Sequence, residues 1–181
     1  MKYKLYTSLL LLFILNGLGC QRDDICPESR DTTPLLIIRF YENQDPFESQ
    51  APQNLGIRET GSEEFVFIRN TSNTQIITYE RFTGDSLAIP LRTDNDLTSF
   101  EFIINNTEAA LEDDSRNTDI VTFTYGRNEE YINRACAYKI NYVGLKVDLQ
   151  DGEDGSRWIQ DIQIEQANIE DQNQAHVSIF F

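Results

Sequence analysis

The sequence predicts an all-β domain, an antiparallel β-sandwich of about eight or nine short strands, with a β-barrel as the alternative. Three observations lead there. Apolar and polar residues alternate over short runs, the two-residue period of a half-buried strand. Asn, Asp and Gly collect between those runs, where turns form. No stretch sustains a helical period with caps.

The strands are read in order. "LLIIRFY", residues 35–41, is apolar on both faces apart from Arg39, as expected of a central strand covered on each side. "EFVFIR" and "TQIITYERF" are joined by the turn formers "NTSN" and read as a hairpin. "SFEFII" sets Phe100, Phe102 and Ile104 against Ser99 and Glu101, and "IVTFTY" sets Val121, Phe123 and Tyr125 against threonines. Residues 129–149 read as one long segment. Ile132, Cys136, Tyr138, Ile140 and Tyr142 form its inward face until the phase shifts at a bulge near Gly144, where Leu145, Val147 and Leu149 take over. "DGEDG" at 151–155 is turn chemistry. "WIQDIQIEQ" and "AHVSIFF" supply the last strands, and Ile179, Phe180 and Phe181 are expected to pair into a sheet. The segments "ENQDPFESQAPQN", "NNTEAALEDDSRN" and "EQANIEDQNQ" are read as loops, able to carry function or to serve as solvated connectors.

The chain has 181 residues and a formal charge of −15, from fifteen basic and thirty acidic side chains. Such a balance excludes nucleic acid as a partner, because a phosphate backbone calls for clustered Lys and Arg. It also argues against attachment to anionic headgroups through surface charge.

The N-terminal segment, residues 1–19, carries Lys2 and Lys4, then an unbroken apolar run from Leu9 to Leu15. That run is too short to span a bilayer, which takes about 20 apolar residues, and it reads as a secretory signal. Gly17, Leu18, Gly19 and Cys20 resemble the lipobox of bacterial lipoproteins, which implies diacylglyceryl transfer to the Cys20 thiol and cleavage before it. Conventional cleavage leaving a free thiol is the alternative. Each buried methylene adds about 0.8 kcal/mol, so two or three acyl chains hold such a protein to its membrane effectively permanently. Gln21, Arg22, Asp23 and Asp24 follow; they are similar to the acidic export tag that sends Bacteroidota lipoproteins to the cell surface, or else are a solvated tether. The expected organisation is a signal peptide at 1–19, an acylated tether at 20–33 and one β-sandwich domain at 34–181. The expected location is the outer membrane, lipid-anchored and surface-exposed, with its periplasmic face as the alternative.

With Cys20 acylated, Cys26 and Cys136 remain as an even pair in a compartment that permits disulfides. A bridge between them would close a loop worth about 4 to 5 kcal/mol in the chain-entropy model. It would also hold the domain within about 20 Å of the anchor, the reach of six extended residues. Two unlinked thiols are the alternative.

Catalytic constellations are scarce, and no enzyme activity and no cofactor are expected. The single histidine, His176, alternates with Val177 on the last strand and reads as a strand residue; alone it makes no zinc site. Asp148, Asp151, Glu153 and Asp154 in "DLQDGEDG" are weak calcium candidates, and Asp94, Asn95 and Asp96 offer a second group of oxygens. Neither has the spacing of an EF-hand loop, and a turn explains each as well. "DTT" and "DSL" resemble the three-residue O-glycosylation sequence of Bacteroidota, which implies sugar on Thr32 and Ser86.

Five stretches together, "DDICPE", "TPLLIIRFYE", "IPLRTDNDLTSFEF", "YINRACAYK" and "HVSIFF", resemble a family of Bacteroidota cell-envelope lipoproteins, mainly flavobacterial, of unassigned function. The resemblance covers most of the chain beyond Cys20, and the family's cysteine pair falls on Cys26 and Cys136. Where it leads one to expect Gly after the second cysteine, this chain has Ala137. It implies an envelope location and brings no activity. Two classes of function follow: a non-enzymatic binding or structural module with an envelope protein or a glycan as partner, and a small hydrolase acting on surface polysaccharide. A glycan face would present exposed aromatic rings, with Trp158, Tyr125 and Tyr138 as candidates that core packing could equally claim; a hydrolase would hold two carboxylates in a cleft.

Overall fold

The computed structural model describes residue 26 and residues 32–43, 45–69, 76–112, 115–152 and 155–181. In chain order the elements are β1 (Leu36–Glu42), β2 (Asp45–Ser49), β3 (Gly56–Glu59), β4 (Phe67–Arg69), β5 (Ile76–Thr78), β6 (Ser86–Ile89), β7 (Leu97–Ile104), α1 (Glu108–Glu112), β8 (Asn117–Asn133), β9 (Ala137–Asp151), β10 (Asp161–Ile164) and β11 (Val177–Phe180). One sheet runs β10-β11-β1, with β6 and β2 both lying along the far edge of β1; the second runs β3-β7-β8-β9, and β4-β5 is a separate hairpin. The sheets stay open, so the sandwich is the architecture and the barrel is not.

Alternation places the core. Leu36, Ile38 and Phe40 of β1 and Val177 and Ile179 of β11 have no exposed surface, and they meet Ile57, Phe102, Val121 and Phe123 of the other sheet, equally buried. Each such side chain contributes about 1.5–3 kcal/mol. The expected alternation of Phe100 and Phe102, and of Val121, Phe123 and Tyr125, is the alternation observed.

Several expectations need correction. Eleven strands are present among the described residues. Short β3 and β6 lack enough residues to show a period, and β2 lies inside the segment read as the first loop. The second of those loops contains α1, a single helical turn. β1 is central but not covered on both sides: Arg39 is exposed and Ile37 and Tyr41 are half-buried. Residues 129–149 are not one segment, because the chain reverses between β8 and β9. There the Asn133 Oδ1 accepts the N–H groups of Ala135 (2.9 Å) and Cys136 (2.8 Å), and Ala137 takes a left-handed φ of 56°. The inward face of Tyr142 and Ile140 stops short of Tyr138, which lies farther out along β9, is 61% exposed and packs edge-on against Tyr131 across the hairpin.

The bulge near Gly144 is where it was expected. Thr124 pairs with Lys146 and Gly126 with Val143, so Gly144 and Leu145 together oppose Tyr125. Gly144 has φ +64°, which a residue without Cβ adopts freely. Beyond this bulge β8 and β9 run on past the end of β7, whose last partner on β8 is Thr124, and form a two-stranded ribbon.

Candidate functional site

Cys26 and Cys136 are bonded, with Cα atoms 4.7 Å apart and a sequence separation of 110. Thr33 continues the docking of the N-terminal segment, its Oγ1 accepting the N–H of Ile140 at 3.0 Å. Both Cys26 and Thr33 thus meet the β8–β9 hairpin. Cys20, Gln21, Arg22, Asp23 and Asp24 lie outside the described residues.

The remaining sequence candidates are scattered. Thr32 is exposed, whereas Ser86 is half-buried within β6 and paired with Arg39. Asp148 accepts from the Gln150 amide, and Asp151 is ion-paired with Arg157 at 2.6 Å; Glu153 and Asp154 lie outside the described residues. Asp94 and Asp96 face Arg92 and Arg127 at 3.1 and 2.6 Å. Asp94, Asp96 and Asp151 thus each have a guanidinium partner, and Arg92 holds Asp94 below the usual carboxylate range. No group of three or more metal-ligating side chains occurs among the described residues. Trp158 and Tyr125 belong to the core: the Trp158 indole N–H donates to the Phe102 carbonyl at 3.0 Å, and the Tyr125 hydroxyl to that of Arg92 at 3.0 Å.

What the topology assembles is a cleft of about 470 Å³ on the outer face of the first sheet. β1 and β11 lie side by side in parallel, with Tyr41 opposite Phe180, and β10 adds Asp161 beyond Phe180 and Gln163 beyond Ser178. Alternation sends all of these away from the core. The Tyr41 ring stacks on Phe180, centroids 5.4 Å apart and planes at 23°. Around this pair stand Asn43, Asp161, Gln163 and Glu165. Ser178 Oγ donates to Glu165 at 2.8 Å and the Gln163 amide to Asp161 at 3.1 Å, which sets both carboxylates in place and leaves acceptor positions over. Aromatic carbon beside carboxylate and amide oxygens suits a ligand with both C–H faces and hydroxyl groups, and the two negative charges disfavour an anion.

No part of this cleft was legible beforehand, because its residues come from positions 41–43, 161–165 and 178–180. The weak signal was polar alternation in "DIQIE", which puts three polar side chains on one strand face.

A different carboxyl sits in the interior. Asp119 is fully buried; its Oδ2 accepts the N–H groups of Trp158 (3.0 Å) and Ile159 (2.7 Å), while Oδ1 has no partner. Burial pushes its pKa up against the lowering effect of those two bonds. The group fastens the segment entering β10 to β8.

Nothing matches the chain among curated proteins or among solved structures. A family model does: it covers residues 65–181, from the hairpin of β4 and β5 through the last strand of the cleft, and is described as a family of unknown function, DUF6452. Since that match spans well over half of the sequence, the chain belongs to the DUF6452 family.

Proposed function

We propose that this protein is a lipid-anchored module of the outer membrane, exposed at the cell surface, and that it binds a neutral or cationic glycan without turning it over. The carrying observation is the outer-face cleft, in which a stacked Tyr41–Phe180 pair is ringed by Asn43, Asp161, Gln163 and Glu165. Sugars are held by the same chemistry, aromatic faces against C–H bonds and planar amide and carboxylate groups against hydroxyls. Envelope location draws support from the lipobox-like residues 17–20 and from the Cys26–Cys136 bond, which persists in an oxidising compartment.

The hydrolase reading asks for a desolvated acid beside a carboxylate in a shared cleft. Asp161 and Glu165 are exposed and already engaged with Gln163 and Ser178. The carboxyl that burial pushes up, Asp119, lies in the core where no substrate reaches it.

Calorimetric titration with neutral oligosaccharides isolated from the producing cell's own surface tests the reading. Tyr41→Ala should weaken binding about tenfold, the worth of one aromatic face, and leave the unfolding transition little changed. Equal affinity of the variant and the unmodified protein for every oligosaccharide bound, or binding by neither, would overturn it.

A further inference from the structure

The ribbon formed by β8 and β9 has no role in the cleft, and its tip carries an unusual combination. Tyr131 and Tyr138 face one another across the hairpin, 59% and 61% exposed, with ring centroids 5.2 Å apart. Five residues on from Tyr131 in the chain, Cys136 is bonded to Cys26. Exposed tyrosines at a hairpin tip lose hydrocarbon contact to water unless something covers them, and tyrosine is the side chain that prefers an interface, apolar at the ring and hydrogen-bonding at the hydroxyl.

We infer that this tip is a membrane-contact site: Tyr131 and Tyr138 seat in the headgroup region of the bilayer that holds the protein. The inference rests on the proposed acylation of Cys20. Cys26 is six positions on from Cys20, a reach of at most about 20 Å, so the disulfide keeps the tyrosine pair close to any lipid attached at Cys20. Thr33 makes a second attachment to the same ribbon, accepting from Ile140 further along β9. The opposite end of β8, beside α1, is about 50 Å distant at 3.3 Å per residue. The long axis of the ribbon thereby stands the sandwich on its tip.

The test uses the mature acylated protein, purified from its own membrane and reconstituted in phosphatidylcholine vesicles brominated near the headgroup end of the acyl chains. Trp158, the single tryptophan, is buried, so the unmodified protein supplies the blank. Emission from Tyr131→Trp and, as a second variant, Tyr138→Trp should fall about twofold relative to unbrominated vesicles, as for a ring held a few ångströms below the surface. Emission from Glu112→Trp, in α1, should not change. Vesicle-bound protein in which neither tip variant is quenched, or in which Glu112→Trp is quenched equally, overturns the inference and leaves the anchor standing. Intact mass without an acyl increment overturns the anchor, and the contact site with it.

Discussion

The backbone N–H of Ile37 donates to Nδ1 of His176 at 2.9 Å, and the His176 N–H donates to the Ile37 carbonyl at 2.9 Å. Residues 139 positions apart in sequence thus share a two-bond clamp at the entrance to the parallel β1–β11 pair. His176 is 2% exposed, and Asp171 acts on its ring against the effect of burial. Burial lowers its pKa more than Asp171 raises it. Native protein therefore binds a proton at this ring less readily than unfolded chain, whose histidine titrates near pH 6.5. Stability at this site is fully present above about pH 6.5 and declines as the pH falls below it toward the folded pKa. Urea titrations between pH 8 and 5 should show that decline, and His176→Asn, whose Oδ1 replaces Nδ1 as acceptor, should flatten it. His176→Ala should cost about 2 to 3 kcal/mol at pH 8, since Ile37 loses its buried acceptor.

Asp119 makes the opposite pH statement. Its folded pKa is raised, so the native state holds this proton more tightly, and the contribution is present at low pH and lost as the pH rises through the folded pKa. Asp119→Asn keeps an acceptor for Trp158 and Ile159 and should remove that dependence with little loss of stability near neutrality. Asp119→Ala leaves two buried N–H groups without a partner and should cost about 3 kcal/mol in denaturant titration.

Ala137 occupies a left-handed conformation, φ 56°, at the β8–β9 turn. A residue with a Cβ is strained there and glycine is not. Ala137→Gly should raise stability by up to about 1 kcal/mol, visible as a higher denaturant midpoint at an unchanged slope. An unchanged or lower midpoint would show that the strain is relieved elsewhere.

The Cys26–Cys136 bond closes a loop with a sequence separation of 110 residues. Replacing both cysteines by alanine should cost about 4 kcal/mol in the chain-entropy account, or about 10 °C in Tm for a domain of this size. Calorimetry with and without reductant should give the same difference for the unmodified protein and none for the double variant.

What could be read in the sequence was what repeats over short distance. Phe100 and Phe102, Val121 and Phe123 announced their strands by alternation, and Gly144 announced the bulge because the inward phase slips there. The turn at 134–136 was missed because it holds neither Gly nor Pro; its signal is Asn133, whose side chain closes the reversal. Tyr138 was misplaced because it keeps the phase of the buried Tyr142 but lies on the ribbon, beyond the end of β7 and outside the core. Topology was hidden more deeply. Nothing local in "LLIIRF" or "HVSIFF" says that the two pair in parallel, and without that pairing Tyr41, Phe180 and Asp161 have no reason to meet.

That parallel pairing also governs how the molecule can come into being. Residues 177–181 sit beside β1, with Phe181 bonded through its N–H to Tyr41 and through its carbonyl to Asn43. A ribosome delivers them more than a hundred residues after their partner, so the β1–β11 pairing is of high contact order and waits for the late-synthesised strand. Until then β1 keeps one flank open, while its other edge can already pair with β2 and β6. The two sheets thus differ in timing: β3-β7-β8-β9 has all its strands by residue 151, whereas the first closes on β11.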